Sequence, residues 1–578
     1  MKKIIIYFLI VFSGAYFSGC VDLDTYPKDQ MSESMFWKNE GHVKSALMGV
    51  YQVLKTGGNF GENYYFDHCG EINDFYTDLE IPLGSSTSST GYYNAKWQGS
   101  YEGIARANKV IGKVPELDFL SNDEKKEFLA EAKFLRALYY FQLLDFFGGV
   151  PYYDETTDIN AEYHSMKKPR NTADEIRSYI LTDLNAATEG LRAEWDDQNY
   201  GRATKGAAYA LKGKVYLYNK DWKNAIAAFE EIVYNKSVDY KYALDQDYAN
   251  LFKLWGGAKS PEMIFTLQNL GGIGFDYGSR IQLHLGCRGH FGGGWHNTFP
   301  SNVLVDAYEY PDGKPFSWED VFPGWATMSV AERDKCMDVE MDDNGAFVGL
   351  RSCDTAKILN AYKNRDPRLM TSVIVPYSTT VGWVSEQTKV LIYAMDGTKN
   401  GSETYGTVRS NRMTNIYYYR KFITEGDLGG LISTPDHSPV TIPLIRLADV
   451  LLMLSEAYNE DGQLEKAVTE LNKVRARVNM PGLNSGSAWL SVTTRDQMFE
   501  RIRKERMYEL CAEGHNYSDL RRWGWEIASA ALSNKARTDI KGNLLYTQYF
   551  SKKDMLWPIP YQEVRQNPAL TQNPEWGQ

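Results

Sequence analysis

The chain has 578 residues, 43% hydrophobic and 24% charged, with a formal net charge of -11 at pH 7. That balance is ordinary for a globular protein and allows a large core at this length. The negative charge argues against a duplex nucleic-acid partner, because phosphate binding needs clustered Lys and Arg, and makes a strongly anionic polysaccharide a poor ligand. Tyrosine is over-represented, with 40 Tyr against 25 Phe, and its apolar face and polar tip suit wet surfaces and helix seams.

The N-terminus reads as an address. Lys2-Lys3, the apolar run from Ile4 to Phe12 and the small residues Ser18-Gly19 form a secretory signal peptide over residues 1–19. The run is too short to span a bilayer. Ser18-Gly19-Cys20 is similar to a lipobox, with Phe17 where Leu is usual, which makes Cys20 the lipidated first residue of the mature chain. Residues 20–34, with Asp22 and Asp24, then serve as a lipidated tether, and more than one acyl chain is needed to hold it. The five remaining cysteines, Cys69, Cys287, Cys336, Cys353 and Cys511, are odd in number and lack Cys-x-x-Cys spacing. A zinc site or redox dithiol is therefore not expected, while one or two disulfides are allowed beside the plainer reading of buried free thiols.

Phe36-Trp37 introduces a helix with Val43, Ala46, Leu47, Val50, Tyr51 and Leu54 on one face. Residues 59–94 lack helical pattern and carry Tyr76, Tyr92, Tyr93 and Asn94 around a Gly-Ser-Thr run. A loop of that length is usually functional or disordered. Helices follow from Trp97 and over Asp123 to Phe147, stopped by Gly148-Gly149 and Pro151, and another runs from the Asn171-Thr172-Ala173-Asp174 cap through Leu191. Tyr209, Gly213, Tyr216, Ala225 and Phe229 fall at tetratricopeptide spacing, and Leu451, Leu454, Ser455, Tyr458, Ala467 and Leu471 repeat those offsets. Between the two copies, residues 250–443 are rich in Gly and aromatics, with short strands expected at Ser372 to Val375 and Ile416 to Phe422. Helices at Leu464 to Val478 and Arg495 to Glu513 complete the helical part. The fold class that follows is mainly α: a tetratricopeptide-like helical-repeat scaffold with a loop-rich insertion carrying short strands.

No catalytic constellation emerges. His-Glu-x-x-His, Gly-x-Ser-x-Gly and a phosphate-cradling Gly-Lys-Ser are absent from the sequence. His284, His290 and His296 recur every six residues, which places no two on one helical face, so no metal is expected. Glu340, Asp342, Asn344 and Gly345 imitate half of a calcium loop, but Arg351 stands where a bidentate Glu is required. Arg506, Glu505, Glu509, Arg521 and Arg522 read as charge ladders and buried ion pairs rather than as catalysts.

The C-terminal third resembles the SusD/RagB family of outer-membrane lipoproteins, through Glu505-Arg506, Glu509-Leu510, Glu513-Gly514, the run Asp519-Leu520-Arg521-Arg522-Trp523-Gly524, Pro558-Ile559-Pro560 and Gln572-Asn573-Pro574. Upstream matches at Phe36-Trp37, Phe147 to Pro151, Pro261 to Phe265 and Arg365-Asp366-Pro367-Arg368-Leu369 extend the likeness over nearly the whole mature chain. The resemblance implies one SusD-like domain over residues 35–578: scaffold about 35–235 and 444–530, insertion about 236–443, tail 531–578. It further implies a surface-exposed lipoprotein of the outer membrane, anchored through Cys20, that captures oligosaccharides for a SusC-like TonB-dependent transporter, without enzymatic activity or cofactor. Loop position and residue type single out Tyr76, Tyr92, Tyr93, Asn94, Arg288, Trp295, Asn297, Trp318 and Trp325 as sugar contacts, with aromatic faces for C–H groups and polar side chains for hydroxyls. A RagB-like peptide-binding lid is the alternative, and a surface hydrolase the third reading.

Overall fold

Three long helices begin where a side chain takes over the orphan backbone donors of the first turn. Asn39 caps α1 (Glu40–Gln52), and Ser121 and Thr172 form reciprocal capping boxes with Glu124 and Glu175 ahead of α3 (Asn122–Phe147) and α4 (Ala173–Gly190). Between them runs α2 (Gly91–Lys113). The structure, a computed structural model, describes residues 36–577 apart from 57–58, 61–69, 76–85, 158–165, 235, 237–239, 241, 254–256, 271–277, 291–292, 396–400, 409–414, 427–431 and 433–436. Tyr76 and Cys20 lie outside the described residues.

The two tetratricopeptide-like pairs are antiparallel helix hairpins: α5 (Lys205–Tyr218) with α6 (Trp222–Val233), and α7 (Leu447–Glu460) with α8 (Leu464–Arg477). Equivalent positions do equivalent work. A Cβ on Gly213 would stand 2.4 Å from the Phe229 ring, so only glycine lets α5 lie that close to α6. At the matching site of the second pair, Ser455 Oγ donates to the Ala467 carbonyl at 2.7 Å. The pairs then pack on each other, with the Tyr458 hydroxyl donating to Glu230 at 2.5 Å. After α8 come α9 (Arg495–Leu510), boxed by Thr494 and Gln497, and α10 (Asn516–Trp523).

Between α6 and α7 lies the loop-rich insertion. Strands Met263–Leu267 and Ile442–Arg446 pair antiparallel and close its neck. Inside it, Val373 and Ile374 pair with Tyr419 and Tyr418, so the two expected short strands are partners of each other. The supposed calcium-like stretch is a hairpin, Val339–Met341 with Phe347–Leu350. The Asp342 carboxylate accepts the Asn344 and Ala346 amides of its own turn. Two sequence boundaries shift. Gly91 to Asn94 belong to α2 rather than to the preceding loop. The helix expected to reach Glu513 ends at Leu510, because Cys511 is extended and Ala512 is left-handed with φ 60°.

Insertion and scaffold are joined by one buried ion network. Six cations, Arg368, Arg446, Arg475, Arg477, Arg501 and Lys421, face six carboxylates, Asp366, Glu262, Glu309, Glu505, Glu509 and Glu513. Arg446 alone reaches Glu262 at 2.7 Å, Glu509 at 2.6 Å and Glu513 at 2.7 Å. Charges this deep persist only when paired and hydrogen-bonded. Burial pushes the Glu509 carboxyl up, but Arg477, Arg446 and Arg368 together overcome that and hold it well below the usual carboxylate range.

Candidate functional site

The candidate surface is the loop after the short helix Ile281–Leu285. Glycines shape it. Gly294 lies so close to Gly286 that a Cβ there would meet the Gly286 carbonyl oxygen at 2.1 Å, and Gly293 turns the chain with φ 78°. Successive side chains then part company. His296, left-handed at φ 52°, is buried and stacks on Tyr418 at 3.9 Å between centroids. Trp295 is sent outward and is 51% exposed.

The exposed indole is braced from beside and below. The His284 ring meets it edge-on at 5.6 Å, and the Arg280 guanidinium lies 5.6 Å from its centroid. His284 Nδ1 and Asn297 Oδ1 are 3.2 Å apart, which holds the Asn297 amide beside the platform. Arg288 is exposed on the same loop. A flat apolar face bordered by an amide and a guanidinium can stack on a sugar ring and hydrogen-bond its hydroxyls.

His290 fastens the loop from inside. The Cys287 amide donates to His290 Nδ1 at 3.0 Å, so the ring proton sits on Nε2 and faces Thr380 Oγ1 at 2.9 Å. Thr380 in turn donates to Glu425 at 2.8 Å, and Arg420 holds Glu425 at 2.6 Å. Burial, with a smaller push from Arg420, lowers the His290 pKa to about 3, so the ring is neutral at physiological pH. Glu425 and Arg420 also line a cavity of about 850 Å³, together with Phe252, Lys253, Lys363 and Tyr377. The three histidines therefore serve separate packing roles. Among the described residues no group of His, Cys, Asp and Glu is placed to hold a metal ion.

The structure brings together Trp295 and Asn297 from the sequence-derived set, through His284, and leaves Arg288 exposed on the same loop. Three others need correcting as exposed platforms. Tyr93 is fully buried, edge-on to Trp557 at 5.0 Å and Trp576 at 5.7 Å, because α2 begins earlier than expected and the tail folds over its first turn. Trp318 and Trp325 are buried and stack on each other at 5.2 Å. Tyr362 stands edge-on to Trp318, and Arg333 lies over Trp325, so neither indole has a face left for a ligand. Tyr92 and Asn94 are half-buried in the first turn of α2, and Asn94 Oδ1 is enclosed without a hydrogen-bond partner. Sequence reasoning missed Arg280, and weighed His284 only as a metal ligand. Their only signal was proximity to Trp295 across a glycine-rich turn.

Comparison with known proteins places this architecture. Residues 261–576 match the model of the SusD family, and residues 23–217 match one described as starch-binding associating with outer membrane. The starch-binding protein SusD of Bacteroides thetaiotaomicron is 26% identical over 609 residues, covering 98% of this chain and 97% of that protein. A SusD-like protein from Bacteroides fragilis superposes with a TM-score of 0.73 at 22% identity, over 95% of this chain and 100% of that one. A laminarin-binding SusD-like protein superposes with a TM-score of 0.61 at 23% identity, over 93% and 100%. With the paired helix hairpins, the ion network at the family motifs and a family match across more than half its length, the chain belongs to the SusD family.

Proposed function

We propose that this protein is a non-enzymatic, surface-exposed lipoprotein of the outer membrane, anchored through Cys20. It captures oligosaccharides and passes them to a SusC-like TonB-dependent transporter. The observation that carries the reading is Trp295, an exposed indole flanked by Arg280 and His284 with the Asn297 amide alongside. Flanking contacts made before the ligand arrives lower the ordering cost of binding. Trp295 supplies the stacking face, and Arg288 and Asn297 supply hydrogen bonds to hydroxyls. The relatives support the ligand class, since one is named for starch binding and another for laminarin.

The test is isothermal titration of the protein and of Trp295→Ala against a panel of neutral polysaccharides, with a mixed peptide digest as control. Saturable binding to one glycan without new reducing ends is expected, with affinity falling about tenfold or more in the variant, as stacking contacts worth 1–3 kcal/mol predict. Heat from the peptide digest alone would replace this reading with the RagB-like one, and new reducing ends would make the protein a hydrolase.

A further inference from the structure

A second concavity lies away from the insertion. One face of α2 presents Trp97, Tyr101, Ile104 and Asn108, and the helix Tyr561–Gln566 and the residues after it present Glu563, Gln566, Asn567 and Leu570. Pro151 and Tyr153, from the segment after α3, close the third side of a cavity of about 560 Å³. That volume lies within the range of small-molecule sites. None of its lining residues comes from the insertion that carries Trp295.

We infer that this cleft is a second saccharide-binding site, for a neutral oligosaccharide. Its ligand class rests on the saccharide-capture reading above; its location does not. The half-buried Tyr101 and Tyr153 rings line the cleft, and Trp97, buried and packed on Phe147, backs Tyr101 rather than offering a face of its own. Trp97 and Tyr101 are 5.0 Å apart at 53°, and Tyr101 and Tyr153 are 6.0 Å apart at 72°. The Tyr101 hydroxyl is committed to the Pro151 carbonyl at 2.7 Å, which locks the ring and leaves its face as wall.

The polar groups divide into committed and available. Asn108 bonds Arg136 and the Tyr153 carbonyl, Asn567 bonds the Lys168 carbonyl and the Ala569 amide, and Glu102 is paired with Arg106. Gln98, Gln566 and Lys167 sit exposed at the rim, available for a ligand. Glu563, half-buried in the wall, accepts the Trp97 indole N–H and has no ion-pair partner among the described residues. With Glu102 neutralised by Arg106, the remaining charges of the lining, Glu563 and Lys167, cancel, which suits a neutral ligand. Amide and carboxylate groups above an aromatic floor suit hydroxyls on a C–H face.

The test uses maltohexaose, laminarihexaose, cellohexaose and xylohexaose, each titrated into the wild type, into Trp295→Ala and into Trp295→Ala carrying Gln98→Ala and Gln566→Ala. Hydrogen exchange of residues 561–570 is followed in parallel. At least one hexaose is expected to bind Trp295→Ala and slow exchange over 561–570, with affinity about tenfold weaker in the triple variant. Both rim glutamines are exposed, so their loss leaves folding intact. Blocking the cleft with Ala105→Trp should abolish the protection. No slowing of 561–570 with any of the four sugars, or slowing that survives both sets of changes, overturns the inference. Binding lost in Trp295→Ala without change at 561–570 leaves only the loop site standing. Protection at 561–570 with no effect of Trp295→Ala leaves only the cleft.

Discussion

At the scale of single residues, exposure and burial separate function from stability. Trp295 is half open to solvent, whereas Glu509 is fully buried and bonds Arg368, Arg446 and Arg477. Glu509→Ala takes one carboxylate partner from each of three buried guanidiniums, which keep Asp366, Glu505, Glu262 and Glu513 between them, and leaves the network one negative charge short, which should cost about 3–5 kcal/mol in urea unfolding. Trp295→Ala should stay within about 0.5 kcal/mol of wild type. His290 provides a pH test. Its folded pKa of about 3 lies below the unfolded value, so its contribution is complete above about pH 6.5 and is lost as pH falls toward 3. Relative to wild type, His290→Gln should therefore gain about 2 kcal/mol between pH 7 and pH 5, measured as the difference between two denaturation series. A constant difference across that range would show that the ring is not held neutral.

At the scale of elements, small residues set how closely helices approach. Gly213 permits the α5–α6 contact by having no Cβ to meet Phe229. Gly213→Val should destabilise by about 1–3 kcal/mol through overpacking, with a lower thermal midpoint and unchanged helical content below it. The spacing pattern was legible because tetratricopeptide geometry demands small and large residues at fixed offsets. The start of α2 was not legible. Gly91-Tyr92-Tyr93 is poor helix-forming sequence, and the turn is held by tertiary contacts, with Tyr93 packed under Trp557 and Trp576 of the distant tail.

At the scale of the whole molecule, the ion network binds the insertion to the scaffold. Arg368 and Glu309 come from the insertion, Arg446 from its neck, and Arg475, Arg477, Glu505 and Glu509 from α8 and α9. Amide exchange protection read over residues 355–375 of the insertion and far-ultraviolet circular dichroism, weighted by the scaffold helices, should therefore report one coincident urea transition in wild type. In Arg368→Met the two should separate, the loss of protection in the insertion coming first. Coincident midpoints in the variant would mean that the apolar contacts alone couple the two parts. The sequence by itself determined the helical class, the repeat pairs, the position of two short strands and the family, because periodicity and motif order are local and additive along the chain, whereas the pairing of those strands came from the structure. Only the tertiary structure decided which aromatics face solvent. Trp295, Trp318 and Trp325 are chemically alike and close in sequence, and what distinguishes them is what packs against each: Tyr362 and Arg333 cover two, while the glycine turn and buried His296 turn the third outward.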